Sequence, residues 1–511
     1  MDSGVLAENR DLQLAPVSHD GSPAPLRRLL PLLLSSFLGV CLAASSTLYP
    51  ADRQCATARY AHKHRVFVAT DISNEPDDQM SLVRLLTYAN ELDLRGIAVV
   101  TSVWKNDSLD TASVMTVLDA YANVTALLDA NVPASEPYPS AEALRALVHE
   151  AHPVYGLAAL ELPPSDGALA LVAAADAASA EDPMYVCLWG GAGVLAEALH
   201  HVSQTRSAAD LSLFVRNLRV YAISDQDDAG AWLRVNFPSL FYVVALHGFS
   251  EYTQASWNGI SGEAFRHFDQ GGPDTSLVTN DWLERHVRVG DLGRHYPNFT
   301  FIMEGDTPSF FPLLNNGLGD PEHPEWGSWG GRFLRVDASG RYPLYSDASD
   351  VAIGVNGEIY VSAFAGIWRW RQAYQHDFAA RMQWTASNTA AEKNNHAPVA
   401  VVNGTCGPAP VRLSFQMGEA VVLDAASGSW DPDGDELAFD WFHYREVTER
   451  MQEGVITKVS EDIAVKKLDQ TGGLVSLEPL KNQTMHVILS VMDKRDMGLT
   501  TYRRIILTPD M

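Results

Sequence analysis

Between residues 63 and 390, short apolar runs alternate with stretches whose apolar residues recur at helical spacing. The runs are 66–70, 94–101, 184–189, 218–223, 241–245 and 299–303. Helical spacing marks 79–90, 111–129, 141–150, 167–179, 194–200 and 276–287, and a stretch at 368–382 closes the region. Strands buried on both faces read as unbroken apolar runs, and helices between them are the crossovers of a parallel sheet. The expected fold is therefore an α/β domain with a mainly parallel central sheet. Hydrophobic residues make up 46% of the 511, enough for a large core. Gly, Pro and aromatic residues crowd 313–362, where long loops over one end of the sheet are expected.

The pattern changes at Asn394-Asn395-His396-Ala397-Pro398. Short alternating runs follow at 399–402, 420–423, 438–442, 474–477, 486–491 and 502–507, separated by turn residues, as in a β-sandwich. The division expected is a leader over 1–50, an α/β domain over 63–392 and an all-β domain over 397–511. In the last, Asp431-Pro-Asp433-Gly-Asp435 is a turn by its chemistry, and its carboxylates also suit Ca²⁺. The Trp-Arg-Trp-Arg run at 368–371 opens a helix expected to pack on the sheet.

Arg27-Arg28, an apolar run over 29–44 and small residues Ala43 to Ser46 have the order of a signal peptide or signal-anchor. The remainder is then expected in the secretory lumen or outside the cell, with membrane contact only through an uncleaved leader. Sequons at Asn106, Asn123, Asn298, Asn403 and Asn482 agree with that. Of four cysteines, Cys187 falls in an apolar run, and Cys55 and Cys406 could pair. A net charge of −26 argues against a nucleic-acid partner, because phosphate binding needs Lys and Arg.

Polar loops follow the apolar runs. Thr70 to Asp78 reads Thr-Asp-Ile-Ser-Asn-Glu-Pro-Asp-Asp; Asn106 and Asp107 follow the second run, Gly190-Gly191 the third, Asp225, Asp227 and Asp228 the fourth, and Glu304-Gly305-Asp306 the last. Helix N-capping explains any one acidic cluster, but explains the coincidence of several less well. In a parallel sheet these loops share one rim, where α/β proteins bind ligands. Clustered carboxylates call for a hard cation, Ca²⁺ before Mg²⁺.

The segments ATDISNEPDDQMSLVRLL, WGGAGVLAEAL, ISDQDDAGAWLR, MEGDTPSFF, DPEHPEWGSWGGR and IWRWRQAY resemble the nucleoside-hydrolase-like, cellulose-binding-protein family. The resemblance spans about residues 63–511 and implies a nucleoside-hydrolase-like domain followed by an immunoglobulin-like, PKD-like one. It implies Asp71, Asp78 and Asp306 as Ca²⁺ ligands, Asp77 on the sugar hydroxyls, and a backbone carbonyl at Gly190-Gly191. Two departures from true nucleoside hydrolases stand out. Five residues rather than three separate Asp71 from the Asp pair, and no histidine stands immediately before Asp306. The resemblance is thus to a nucleoside-hydrolase-like site rather than to a nucleoside hydrolase.

The chemistry expected is hydrolysis of a glycosidic or N-glycosidic bond, with a carbohydrate or nucleoside-like small molecule as ligand. Asp71 and Asp77 would handle the water and sugar, and His323 or Glu304 would protonate the leaving group. Asn106, Asp225, Asp227, Asp228 and Arg332 would bind substrate, with Trp326 and Trp329 as a stacking lid. The alternative is a carbohydrate-binding protein that keeps fold and metal without catalysis.

Overall fold

The computed structural model describes residues 48–50, 53, 55, 63–386, 394–448 and 463–510; the apolar run at 29–44 lies outside them. One sheet holds β1 (His64–Thr70), β2 (Leu92–Val99), β3 (Val148–Glu150), β4 (Met184–Leu188), β5 (Leu218–Ser224), β6 (Phe241–Ala245), β7 (Phe333–Arg335) and β8 (Leu344–Asp347). Their order is β3-β2-β1-β4-β5-β6-β8-β7, parallel throughout except that β7 runs against β8. Winding goes outward from β1 to β3 and resumes at β4 on the other side of β1. The switch point between β1 and β4 is where such sheets open a ligand crevice.

The helices cover both faces. α1 (Asp77–Thr87), α2 (Thr111–Asp129), α3 (Asp166–Asp176), α4 (Gly193–Thr205), α5 (Ala208–Arg216), α6 (Ala229–Asn236) and α7 (Arg371–Ala386) are the longer ones. Val66 and Val68 of β1 pack with α1, α2 and α7, whereas Phe67 and Ala69 pack with α3 and α4. Successive residues of a strand face opposite ways, so covering both faces makes β1 apolar without a break. Cys187 is buried, and burial pushes its thiol up to about 12. Trp368 and Trp370 are buried, but their ring contacts are with Tyr360 and with Phe442, Tyr444 and Tyr502 of the C-terminal part, not with the central sheet.

Three expectations are corrected. Residues 299–303 form no strand, although Phe301 and Ile302 do help wall the crevice. The stretch 141–150 divides into a short helix, Ala141–Arg145, and β3. The aromatic-rich 313–362 contains β7, β8 and the hairpin of β9 (Asp350–Ile353) and β10 (Ile359–Ser362).

The C-terminal part is all-β. β11 (Val411–Phe415), β13 (Leu437–His443), β16 (Met485–Asp493) and β17 (Thr500–Pro509) form one sheet; β12 (Val421–Asp424), β14 (Ile463–Lys467) and β15 (Leu474–Pro479) form another. Leu423, Val475 and Leu477 of the smaller sheet share a core with Val487, Leu489 and Ile505 of the larger. A disulfide joins Cys55 to Cys406 across 351 positions.

Both parts belong to one compact unit, and their seam is polar and aromatic. Tyr444 Oη donates to Asp350 (2.6 Å), and Arg504 donates to the carbonyls of Leu318 (2.6 Å) and Trp326 (2.9 Å). His486 lies in this seam, accepting from Arg504 at 3.2 Å in one tautomer. Burial first, then the charges of Arg504, Arg412 and His323, lower its pKa from 6.5 to about 3. A depressed histidine contributes stability that is complete above pH 6.5 and drains away as pH falls toward 3. Between pH 7.5 and 5, denaturant midpoints should fall more for the wild type than for His486→Gln, by about 2 kcal/mol. Parallel pH profiles would remove His486 as the cause.

Candidate functional site

The carboxyl ends of β1, β4 and β5 open into a cleft of about 260 Å³ lined by Asp71, Glu75, Asp77, Asp78, Trp104 and Asp306, among others. β1 ends at Thr70, whose hydroxyl donates to Asp78 and accepts from the Ile72 amide. Lys105 Nζ donates to the Ile72 carbonyl (2.6 Å) and to Ser73 (3.0 Å), closing the loop between β1 and α1. Asp77 and Asp78 then form the first turn of α1, where the helix dipole favours anions.

Asp306 arrives from the far side on a loop that Glu304 holds in place. Glu304 adopts φ 54°, a left-handed conformation costing a non-glycine residue about 1–2 kcal/mol. Compensation comes from Arg84, which is fully buried and paired with it, and from the hydroxyls of Tyr296 and Thr307. With both oxygens so engaged, Glu304 is a structural anchor and not a free acid for a leaving group.

One oxygen from each of Asp77, Asp78 and Asp306 lies within 4.8 Å of the others. All three are buried, and neither oxygen of Asp306 has a hydrogen-bond partner among the described residues. Burial pushes the Asp77 carboxyl up to about 7, with Glu75 and Asp71 adding repulsion. Burial and the neighbouring aspartates likewise raise Asp78 and Asp306 well above the usual range. Unsatisfied, repelling carboxylates are what a hard divalent cation relieves, and an all-oxygen donor set fits Ca²⁺. The geometry puts Asp77 in the tight cluster; Asp71 stands beside Asp78, hydrogen-bonded to Ser102 and raised by its own burial.

Gly190 explains how Asp71 fits. A Cβ there would meet Asp71 Oδ1 at 2.8 Å, and one at Gly191 would meet Asp227 Oδ2 at 2.4 Å. Gly190→Ala should therefore displace Asp71 at a cost of about 1–3 kcal/mol and weaken Ca²⁺ stabilisation, read by melting with and without Ca²⁺. An unchanged melting response would mean that Asp71 is uninvolved.

The other residues expected from the sequence divide. Asp227 lies behind the cleft, accepting from the amides of Gly193 (3.0 Å) and Ala229 (2.9 Å), and burial raises it to about 6. Asp228 accepts from Leu157, and Asp225 is paired with Arg234. These three organise the loop after β5 and do not line the cleft. Asn106 is exposed, as are the other four sequon asparagines.

His323, Trp326, Trp329 and Arg332 are not brought to the cleft. Glu322, beside His323, accepts from Tyr185 and Arg219 near the entering ends of β4 and β5, opposite the rim. His323 stacks on Trp326 (3.8 Å) and bonds to Glu325 (2.9 Å). Trp329 is buried and donates to Tyr502 at 3.3 Å, and Arg332 is paired with buried Asp350 at 2.6 Å. The expected lid is thus part of the seam with the all-β part.

Sequence reasoning missed Ser102, Gln226, Tyr252 and Arg266. Gln226 donates to the Trp189 carbonyl, and Tyr252 sits 6.0 Å from the half-exposed Trp104 ring. Trp257 Nε1 donates to Ser224, whose hydroxyl is 2.9 Å from His247 Nε2. Tyr252 and Arg266 fall in a segment without periodic signal, so only the fold could place them.

Residues 65–333 match the family model for cellulose-binding Sde182, nucleoside hydrolase-like domain, and 420–509 match that for cellulose-binding protein Sde0182, C-terminal domain. Among solved structures, a nucleoside hydrolase-related hypothetical protein from Saccharophagus degradans, associated with carbohydrate metabolism, is 32% identical, with a TM-score of 0.69. That match covers 88% of this chain and 100% of the other. The effector protein XOO4466 aligns over 69% of this chain and 98% of its own at 12% identity and a TM-score of 0.28, too distant to support an argument. No curated protein matches. With its nucleoside hydrolase-like domain and C-terminal domain both matched, the chain belongs to the cellulose-binding Sde182 family.

Proposed function

We propose that the protein is a secreted, Ca²⁺-dependent hydrolase of glycosidic or N-glycosidic bonds, acting on a carbohydrate at the cleft between β1 and β4. The observation behind this reading is the buried Asp77–Asp78–Asp306 cluster with its two orphaned Asp306 oxygens. Those three residues would hold the ion, with Asp71 beside them. The chemistry Ca²⁺ supplies in such a place is Lewis acidity toward oxygen. Asp71, steadied by Ser102, accepts a proton from the water that attacks the anomeric carbon as the glycosidic C–O or C–N bond breaks. The departing atom keeps the bonding electrons and takes its proton through solvent, and the carboxylates favour the oxocarbenium-like transition state. Trp104, Tyr252 and Trp257 offer the sugar its apolar walls. The Cys55–Cys406 disulfide and the exposed sequons support an extracellular location.

A second reading, carbohydrate binding without turnover, draws on a specific observation. No histidine lines the cleft among the described residues, and Glu304 is locked by Arg84. Turnover decides between the two: release of reducing sugar from oligosaccharides or nucleosides, abolished by EDTA and by Asp78→Asn, supports the hydrolase. Saccharide binding with no product favours the binding protein. Absence of any Ca²⁺ effect on melting would remove the metal from both.

Trp104 tests the saccharide under either reading. Its ring is 50% exposed, so Trp104→Ala should leave the melting temperature unchanged yet weaken saccharide binding about tenfold, or 1.4 kcal/mol. Calorimetric titration checks this; equal affinity in the variant would exclude stacking there.

A further inference from the structure

The cleft contains one cation, Arg266, among its described lining residues. Acidic residues outnumber basic ones 63 to 37 in this chain, so an arginine seldom lacks an available partner. Buried Arg84, Arg332, Arg371 and Arg381 are each paired with a carboxylate: Glu304, Asp350, Glu263 and Glu91. Arg504, which has no carboxylate, is satisfied instead by the carbonyls of Leu318, Trp326 and Gly327. Arg266 has neither. No ion pair reaches it among the described residues, and its Nε is sealed from solvent with no acceptor.

Arg266 has aromatic neighbours and, among the described residues, no acceptor. The Phe265 ring lies 5.8 Å from its guanidinium, and Phe265 packs on Phe301 at 5.5 Å. Burial lowers its pKa, and among the described residues no ion pair with a carboxylate offsets that effect. A partly desolvated guanidinium costs free energy that a bound anion returns, and its planar fork matches two oxygens at once.

We infer that Arg266 makes the cleft selective for a saccharide bearing an anionic substituent, a uronate carboxylate or a sulfate ester, which its guanidinium holds. The inference rests on the proposed saccharide function and adds the charge of the substrate to it. The sugar meets the Asp77–Asp78–Asp306 cluster while its anionic group meets Arg266, which makes Arg266 a specificity-determining residue and not a catalytic one. An acidic cleft with a single unpaired cation rejects stray anions and admits those whose charge falls at that cation.

The test titrates the full chain, in Ca²⁺, with trigalacturonate, its fully methyl-esterified form and a sulfated galactotriose. The acid and ester have nearly the same shape and differ in charge. At least one anionic probe should bind about tenfold or more tighter than the ester, with a preference that shrinks as salt rises. Which probe shows the preference separates carboxylate from sulfate. Arg266→Gln should erase the preference and Arg266→Lys keep part of it, both with an unchanged Ca²⁺ effect on melting, which verifies the fold and metal site. Binding of both anionic probes no tighter than the ester, or a preference surviving Arg266→Gln, overturns the inference and leaves the proposed function standing. Failure of all three probes to bind overturns the inference and leaves the proposed function to its own turnover test.

Discussion

Asp306→Asn should abolish Ca²⁺ stabilisation while making the Ca²⁺-free protein more stable. The two effects have opposite signs because the same carboxylate causes both. Asp306 is 1% exposed, its oxygens have no partner, and Asp78, Asp77 and Asp71 repel its charge. Without a cation, replacing that charge with a neutral amide of similar shape relieves the repulsion, worth roughly 1–2 kcal/mol. With Ca²⁺ at about a hundred times Kd, the proposed metal site should stabilise the wild type by about 2.7 kcal/mol, and the variant should gain almost none of it. Melting in EDTA and in excess Ca²⁺ reads both numbers. A variant destabilised in EDTA and still responsive to Ca²⁺ would show that the cluster is not a metal site.

Arg84→Met should cost more stability than any change inside the cleft, about 3–5 kcal/mol. Arg84 and Glu304 are both fully buried, and Arg84 also donates to the Tyr374 carbonyl (2.9 Å) and lies 3.9 Å from the Phe378 ring. Removing the cation leaves a charged Glu304 in an apolar core, on a backbone already in a left-handed conformation. Because Glu304 positions Asp306, Ca²⁺ affinity should fall as well. Adding Glu304→Gln should restore part of the loss, since it removes the stranded charge. Denaturant midpoints decide the matter, and a loss below about 1 kcal/mol would mean that the ion pair is dispensable.

The sheet was legible because its strands are covered on both faces, and an unbroken apolar run such as Val66-Phe67-Val68-Ala69 has few other readings. Asp71 and Asp78 could be picked out because the parallel strand β1 delivers its following loop to the rim, whereas Asp306 follows an apolar run, 299–303, that is not a strand and reaches the cleft on the loop that Arg84 and Glu304 anchor. His323, Trp326 and Trp329 look like a sugar-binding lid for the same compositional reason that they make a good seam. Aromatic rings bury area in either setting, and only the position of Tyr502 and Arg504 in the all-β part decides between them. Glu304 misled in a similar way. Its partner Arg84 is 220 positions away, so nothing local distinguishes a locked carboxylate from a free acid.

The bond between Cys55 and Cys406 also determines how the molecule responds to tension. All the strands of the large parallel sheet, His64 through Asp347, lie inside the loop it closes. A pull applied upstream of Cys55 and downstream of Cys406 passes across the sulfur atoms and does not load the sheet. Only the all-β part lies on the force path, so the cleft and its aspartates would keep their geometry under a load that unravels the neighbouring strands.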